Sequence, residues 1–419
     1  MKLNRVVVTG MGAITPLGNS VPDFSRHLML GTSGCTLISK FDTSQFRTKI
    51  ACELKGYTPE EFFDKKELKK LDAFAQYALI SVDEAIKDAA LLAYPALNKN
   101  KVGVLYTSGF GGVHTFEQEL LAYHYHQKNP RYFSPFFVPR TLLDLAGGVI
   151  SIKYGFKGMN FSVVAACASS TIALINAMNY IRLGKADVLI VGGSEASITE
   201  VAIGAFSAMK ALSERNDDPA TASRPFDLYR DGFVMGEGAG CMVLESLEHA
   251  QRRGAKIYAE LAGGSMNADA YHITAPNPDG ESVVQVMQEA LDDAGQKLSA
   301  VEYINVHGTS TPLGDIAEIN AIRKLFGAHA QKLHISATKS MTGHLMGAAG
   351  IVEAIASVLT IQENTIPPTI NHSTIDPAMD TSLNYTFNSA QHRKVDVVLS
   401  NNFGFGGHNA AVVFKRYIE

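Results

Sequence analysis

The chain has 419 residues, more than one hydrophobic core usually serves, so two domains or two fused halves are expected. Its 37 Lys and Arg residues nearly balance 41 Asp and Glu residues, and a formal net charge of −4 excludes the basic field of a nucleic-acid-binding protein. The four cysteines form no CxxC pair, which argues against a disulfide framework or a zinc site and favours a reducing compartment.

The N-terminal sequence MKLNRVVVTG enters a strand pattern at once, without the apolar core of a signal peptide. No uninterrupted run of 18 apolar residues follows, so we expect a soluble, cytoplasmic protein. Residues 5–9 predict the first strand. The glycines after it suggest a dinucleotide-binding fingerprint, which fails because Thr15 and Pro16 stand where a third glycine should open a helix.

Three further elements are expected before residue 130. A helix capped by Ser20 runs to about residue 30, and residues 59–92 form a long amphipathic helical segment. Lysines cluster near the start of that segment, either as a solvated helix face or as part of a docking surface. Residues 102–106 form a strand that ends in the glycine turn SGFGG, and a helix follows to about residue 126.

The stretch FSVVAACASSTIALINAM, residues 161–178, indicates a strand, a tight turn and a helix with Cys167 at the corner. Backbone N–H groups and the helix dipole at such a corner favour a thiolate and can hold an oxyanion. The alternative is that Cys167 is a buried small apolar residue, as most intracellular cysteines are. Strands at 187–191 and 238–244 complete this half.

The second half of the chain repeats the order of the first. We therefore predict an α/β fold of two similar βαβαβαββ halves, residues 1–254 and 255–419, in αβαβα layers. The predicted elements of the second half are strands at 256–262, 301–306, 333–337, 395–400 and 410–414 and helices at 281–294, 316–326 and 347–361.

Ligands in such sheets bind beyond the carboxyl ends of the strands. Four of these strand ends carry chemically active groups, although a single histidine there is usually structural. Together they predict one active site, from Cys167, His307 in VHGTSTPLGD, Lys339 and His344 in TKSMTGHLMGAAG, and Phe403 in NNFGFGGHN.

These motifs, with VVVTGMGAITPLGN and SRPFDLYRDGFVMGEGAG, resemble the β-ketoacyl-[acyl-carrier-protein] synthases, condensing enzymes with the thiolase fold, over the whole chain. The resemblance is closest to the type II synthases of fatty acid elongation. It implies a decarboxylating Claisen condensation of an acyl-enzyme thioester with malonyl-[acyl-carrier-protein], and no metal or redox cofactor. Cys167 is then the nucleophile, His307 and His344 stabilise the enolate, and Lys339, paired with Glu353, sets their protonation.

The resemblance also implies an oxyanion hole formed by the backbone N–H groups of Cys167 and Phe403, with Phe403 as the gating residue. The hydroxyls of Thr309 and Thr311 suit the phosphopantetheine arm of the acyl carrier protein. Phe110 stands where a smaller aliphatic residue is common, which predicts a shortened acyl pocket. The substrate-binding residues are Phe110, Phe133, Phe137, Thr309, Thr311, Asp269, His272, Gly404 and Phe405.

The implied partners are acyl carrier protein and a second ketosynthase-like chain. We expect a homodimer, or a heterodimer with a related subunit, in which Phe133 reaches the acyl tunnel across the interface. No nucleic-acid or membrane partner is expected. Carrier protein is acidic and should dock on a local basic patch of Lys65, Lys69, Arg131 and Lys210.

Two departures and three alternatives accompany the resemblance. Ala-Ser-Ser follows Cys167 where Thr-Ser-Gly or Thr-Gly runs are common, and His408 stands where Thr is usual. A thiolase would need a second catalytic cysteine beyond Cys241, and none follows. A chain-length partner subunit would lack Cys167. A ketosynthase of a specialised polyene or polyketide pathway remains open.

Overall fold

The structure, a computed structural model, describes residues 3–418; residues 1, 2 and 419, the ends of the two predicted domains, lie outside the described residues. Its strands are β1 (Val6–Ile14), β2 (Thr36–Leu37), β3 (Ile50–Ala51), β4 (Val102–Thr107), β5 (Asn160–Phe161), β6 (Val188–Glu195), β7 (Gly238–Ser246), β8 (Ala259–Ala268), β9 (Tyr303–Asn305), β10 (His334–Ser336), β11 (Thr365–Ile366), β12 (Asn384–Tyr385), β13 (Gln391–His392), β14 (Val397–Gly404) and β15 (His408–Lys415).

The helices follow the same alternation along the chain. They are α1 (Val21–Met29), α2 (Lys65–Leu68), α3 (Ala73–Asp88), α4 (Val113–Tyr125), α5 (Phe137–Thr141), α6 (Leu145–Tyr154), α7 (Ser169–Arg182), α8 (Glu200–Ala208), α9 (Leu247–Arg252), α10 (Glu281–Asp293), α11 (Pro312–Phe326), α12 (Lys339–Thr342) and α13 (Ala349–Glu363).

Eleven strands form one sheet in the order β12-β10-β9-β14-β15-β8-β1-β7-β6-β4-β5. The order is mirrored about the antiparallel pair of β1 and β8, where Val7 lies opposite Glu260 and Val8 opposite Ala259. Away from this junction each half has one antiparallel strand, β7 or β15, followed by parallel strands. The mirrored order agrees with the repeat in the sequence, while the division after residue 254 stays a prediction.

The helices complete five layers. Helices α7 and α13 lie in the middle and contact strands of both halves, α3 and α6 cover the first half, and α10 and α11 cover the second. The predicted αβαβα arrangement is confirmed. The segment Met346–Glu363, which includes α13, is long and apolar enough to cross a membrane, but 89% of it is buried inside the protein, as expected of a core helix.

The predicted strand at residues 161–164 is mostly wrong. Only Asn160–Phe161 pair with the sheet, at its edge, next to β4. Beyond them side chains replace ladder hydrogen bonds, because the hydroxyl of Thr107 donates to the carbonyl of Val163 and that of Ser162 to the carbonyl of Tyr106. The chain thereby leaves the sheet early and turns toward α7.

The predicted helical segment at 59–92 is divided into a short 3₁₀ turn, α2 and α3. The carboxylate of Asp64 accepts hydrogen bonds from the N–H groups of Lys66 and Glu67 and caps α2. Asp72 caps α3 in the same way through Phe74 N. Aspartates that satisfy free N–H groups start helices, so each begins a new one here.

Candidate active site

Cys167 lies in a tight turn between β5 and α7. Ala166, just before it, adopts a left-handed backbone with φ 48°, a conformation that L residues rarely adopt. The hydroxyl of Ser169 closes the turn by accepting from Ala165 N at 2.8 Å and donating to Ala166 O at 2.7 Å. The hydroxyl of Ser170 accepts from Ile351 N on α13 at 2.9 Å. The Ala-Ser-Ser sequence therefore supports the turn with side chains.

One histidine lies at the sulfur of Cys167, and a second packs against the first. His344 Nε2 lies 3.0 Å from the sulfur. The rings of His307 and His344 have centroids 5.4 Å apart and planes 88° apart. The three residues follow β5, β9 and β10, so the strand-end rule brings them together as predicted.

Burial lowers the pKa of both imidazoles well below the ordinary histidine value, and the positive charge of Lys339 lowers it further. Both rings are therefore neutral at physiological pH. The Nδ1 atoms of His307 and His344 have no hydrogen-bond partner among residues 3–418. Two neutral rings beside one thiol can donate or accept a proton without carrying a charge in the resting state.

Lys339 and Glu353 form a buried ion pair next to the histidines, as the resemblance implied. The ammonium group of Lys339 donates to Glu353 Oε1, and Asn402 Nδ2 donates to Glu353 Oε2 at 2.7 Å. Neither side chain of the ion pair is more than 3% exposed. A buried charge is retained when it is paired in this way, and its field acts on neighbouring groups.

The thiol of Cys167 differs from the expectation of a helix-end thiolate. Burial raises the pKa of Cys167 to about 12, while Lys339 and the backbone N–H groups of Phe405 and of Cys167 itself act in the opposite direction. The side chain is only 8% exposed. Desolvation of an anion thus outweighs the helix end, and the resting sulfur is a neutral thiol.

The backbone near the sulfur differs from the predicted oxyanion hole, which used the N–H groups of Cys167 and Phe403. The N–H groups that lower the pKa of the Cys167 thiol are its own and that of Phe405. Strand β14 stays paired with β15 through Gly404, so Phe405 is the first residue beyond the strand. Phe403 presents its ring to His307 instead, with centroids 5.6 Å apart.

Four phenylalanine rings pack together beside Cys167, with Phe206 at their centre. Phe206 on α8 is buried, and its ring centroid lies 5.8 Å from Phe110, 5.5 Å from Phe233 and 6.3 Å from Phe405. Cys167, Phe206 and Phe233 belong to one apolar cluster. Phe206 was not predicted, because an apolar residue in the helix after β6 looks like ordinary core.

Comparison with known proteins decides the family. The N-terminal domain model of the beta-ketoacyl synthases matches residues 3–250, and the C-terminal domain model matches residues 258–373. The chain belongs to the β-ketoacyl synthase family. It is therefore a condensing enzyme of the acyltransferase class, with the thiolase fold, as the sequence motifs indicated.

Individual relatives agree over the full length. The chain is 48% identical to 3-oxoacyl-[acyl-carrier-protein] synthase 2 of Staphylococcus aureus (strain COL), covering 99% of this chain and 98% of that protein. It is 46% identical to the protein of the same name from Coxiella burnetii, covering all of both chains. A solved type II polyketide acyl-carrier protein complex with its ketosynthase bound to a hexaketide matches with 33% identity and a TM-score of 0.92, covering 99% of this chain and 100% of that chain.

Phe133 and Phe137 lie apart from the cluster around Cys167 in this synthase chain. They stack on each other with centroids 5.5 Å apart, and Phe133 stacks on Tyr123 at 5.0 Å. Neither packs against the apolar cluster that contains Cys167. The stack lies on the α4 and α5 side, so a role of these rings in the pocket requires a second chain and remains a proposal.

The other predicted binding residues of the synthase lie in ordered loops. Thr309 and Thr311 have hydroxyls 3.1 Å apart. Asp269 accepts from Asn409 Nδ2 at 2.7 Å, and exposed His272 accepts from the N–H groups of residues 274 and 275 at 3.1 and 3.0 Å, so both support their loop. The four predicted docking residues are exposed and form no salt bridge within the described part of the chain; they are Lys65, Lys69, Arg131 and Lys210.

Proposed function

We propose that this synthase condenses an acyl group held on Cys167 with malonyl-[acyl-carrier-protein], releasing CO2 and 3-oxoacyl-[acyl-carrier-protein] in fatty acid elongation. The observation that carries the proposal is the 3.0 Å contact of His344 Nε2 with the Cys167 sulfur, beside a second neutral imidazole, His307. The two full-length relatives named 3-oxoacyl-[acyl-carrier-protein] synthase 2 support the substrate class.

Acylation begins with a neutral thiol. His344 Nε2 is within hydrogen-bond distance of the Cys167 sulfur and accepts its proton as the sulfur attacks the thioester carbonyl. A bond forms between sulfur and the acyl carbon, and the negative oxygen is held by the N–H groups of Cys167 and Phe405. The bond to the carrier sulfur then breaks, and that sulfur leaves with the proton.

Condensation uses the same two imidazoles as donors. Loss of CO2 from the malonyl thioester leaves an enolate, whose oxygen accepts N–H bonds from His307 and from His344, the latter in the neutral tautomer with its proton on Nε2. Because both rings are neutral, they stabilise this oxygen without protonating the carbanion. The carbanion attacks the acyl carbon, a carbon–carbon bond forms and Cys167 leaves as a thiolate, which takes up one proton from solvent to restore the resting thiol. These steps need no metal or redox cofactor.

The proposed partners are carrier protein and a second copy of the chain. The basic residues Lys65, Lys69, Arg131 and Lys210 suit an acidic carrier. The surface of α4 and α5 exposes apolar side chains that include Phe116, Leu121, Tyr125 and Val138. A surface of this kind is typical of a subunit interface, and sedimentation should give a dimer rather than a monomer.

A ketosynthase of a specialised pathway is the second candidate. The packing of Phe110 on Phe206 supports it, because a ring at this position would remove volume from the proposed acyl site. The relatives at 46–48% identity favour fatty acid elongation more strongly.

The assigned roles separate in a Cys167→Gln variant. It cannot be acylated but keeps both histidines, so malonyl-carrier decarboxylation should continue while condensation falls below detection. Released CO2 and carrier mass report the two reactions. The matched variant His307→Ala should lose decarboxylation. Equal loss of decarboxylation in Cys167→Gln would contradict the division of roles.

A further inference from the structure

Glu195, at the end of β6, is a fully buried carboxylate that the proposed mechanism does not use. Its Oε2 accepts from Gly109 N at 2.8 Å and from Gly347 N at 3.1 Å. Its Oε1 accepts from Phe110 N and from the hydroxyl of Ser108, both at 3.1 Å. One carboxylate therefore satisfies donors from two separate segments of the chain.

The first segment is the glycine turn that carries Phe110, whose ring packs on Phe206 beside the proposed acyl pocket. The second follows His344 and includes Met346, which packs in the apolar cluster with Cys167. The two segments touch through backbone, because a Cβ added to Gly347 would lie 2.4 Å from Gly109 N. Glu195 thus joins the wall of the acyl pocket to the turn that carries the histidine at the sulfur.

The histidine turn needs such support. Met346 adopts a left-handed backbone with φ 47°, which is unfavourable for any residue other than glycine. The N–H of the next residue, Gly347, donates a hydrogen bond to Glu195 Oε2. A conformation of this kind persists only where the surroundings hold it, and the carboxylate supplies a charge-assisted bond at that point.

The charge of Glu195 also acts on the nucleophile. It raises the pKa of Cys167, against the effect of Lys339. Burial raises the pKa of Glu195 itself to about 7, so the group is mostly ionised at pH 8. The other titratable groups of the site are His344 at the sulfur, His307 packed on His344, and the buried Lys339–Glu353 pair.

We propose that Glu195 is a positioning residue of the condensation, which couples the acyl-pocket wall at Phe110 to the placement of His344 at Cys167. This inference rests on the proposed function. A group that only stabilised the fold would affect all substrates alike. A group that held only the Phe110 turn would alter chain-length preference and leave decarboxylation unchanged, because decarboxylation needs no acyl chain in the pocket.

The test compares Glu195→Gln with Glu195→Asp and with a matched control, Glu245→Gln. Glu245 is an equally buried carboxylate on the neighbouring strand, and it bonds Thr9, His249 and Arg253. Three assays are run on each variant. The first gives kcat and KM of malonyl-carrier decarboxylation, and the second gives condensation rates with acyl-carrier thioesters of several lengths. The third gives the rate at which iodoacetamide alkylates Cys167 at pH 8. Thermal unfolding reports stability.

Glu195→Gln should lower kcat of decarboxylation about 10- to 100-fold with KM changed less than twofold, because misplaced catalytic groups cost rate. It should also flatten the chain-length preference. Alkylation should become several-fold faster, since loss of a nearby negative charge favours the thiolate. Glu195→Asp keeps the charge but shortens the reach, so kcat should fall while alkylation stays within twofold of wild type.

Wild-type kinetics in Glu195→Gln, or equal kinetic losses in Glu245→Gln at matched stability, would overturn the proposal. If Glu195→Gln does not fold, Glu195→Asp decides the matter through kcat and chain length. Alkylation needs no substrate, so it reads the charge effect even if the wild type proves not to condense carrier thioesters. If the wild type does not condense carrier thioesters, the proposed function is wrong. If alkylation of Cys167 is no faster in Glu195→Gln than in wild type, the proposed effect of Glu195 on the thiol is wrong.

Discussion

Phe110 is the residue through which we expect the protein to limit the length of its acyl substrate. It packs at 65° against Phe206 and is 39% exposed, and its N–H is fixed by Glu195. Forcing extra bulk into a packed pocket costs about 1–3 kcal/mol, or roughly tenfold to a hundredfold in discrimination. Short or planar acyl chains should therefore be preferred over long saturated ones.

Phe110→Ala should lengthen the preferred acyl chain. Elongation rates measured from C4 to C16 thioesters on carrier protein give the profile of wild type and variant. Phe62→Ala, which removes an exposed ring near Tyr57, serves as the control and should leave the profile unchanged. Undiminished wild-type rates on C12 to C16 substrates would show that the ring swings aside and that the pocket is not short.

The grouping of Cys167, His307 and His344 was predictable, because the rule that places loops after parallel strands at one edge depends only on strand order. Phe206 and Glu195 could not be identified in the same way, because an apolar helix residue and a carboxylate at a strand end gain their roles from segments that meet only in the fold. The proposed role of Phe405 N–H was not predicted, because a side-chain pattern does not report which backbone N–H faces the sulfur.

Among the secondary-structure elements, the end of β14 contacts the Cys167 turn and fixes the two N–H groups that we propose as oxyanion donors. A Cβ added to Gly404 would lie 2.7 Å from Ala165 O and 3.1 Å from Cys167 N, both backbone atoms. Neither can give way without moving the turn. The glycine is required here by close approach of two backbones.

Gly404→Ala should therefore separate Phe405 N from the sulfur and lower kcat of condensation about 100- to 1000-fold, as expected when one oxyanion donor is lost. Steady-state kinetics with acyl-carrier thioester measure it. Gly148→Ala on α6 is the matched control, since the nearest atom to its added Cβ lies at 3.8 Å. Activity of Gly404→Ala within threefold of wild type would refute the assignment of Phe405.

Element boundaries were predicted less well than element order. The prediction of a strand at 161–164 was mostly wrong, because hydrogen bonds from the hydroxyls of Ser162 and Thr107 replace the backbone ladder beyond Phe161. The prediction of one helical segment at 59–92 was wrong, because Asp64 and Asp72 each cap a new helix inside the amphipathic pattern. Both depend on local polar contacts that apolar periodicity does not record.

At the scale of the molecule, the mirrored halves followed from the repeat of strands and helices along the chain. The pairing of β1 with β8, which joins the halves into one sheet, did not, because apolar patterning carries no information about which edges meet. The same holds for surfaces that meet a partner. Their charge can be read from the sequence, but their clustering cannot.

Charge reversal of Lys65 and Lys69 together should raise KM for carrier-bound substrate several-fold and leave KM for a small pantetheine thioester unchanged. Exposed charges mainly accelerate encounter, so the effect should shrink as salt is raised. Reversal of Lys297 and Lys332, exposed lysines outside the proposed patch, should change neither constant. An equal rise for both substrates would mean that the lysines form only a solvated helix face.

The proposed function requires that an acyl group on Cys167 is extended by decarboxylated malonyl. Intact mass spectrometry of protein and carrier, after mixing acyl-carrier and malonyl-carrier with the enzyme, tests it most directly. We predict an acyl adduct on the enzyme and a 3-oxoacyl-carrier two carbons longer, formed with one CO2, and neither the adduct nor the product with Cys167→Ala. Adduct or product persisting in Cys167→Ala, or a wild type that releases CO2 but never lengthens the chain, would contradict the account.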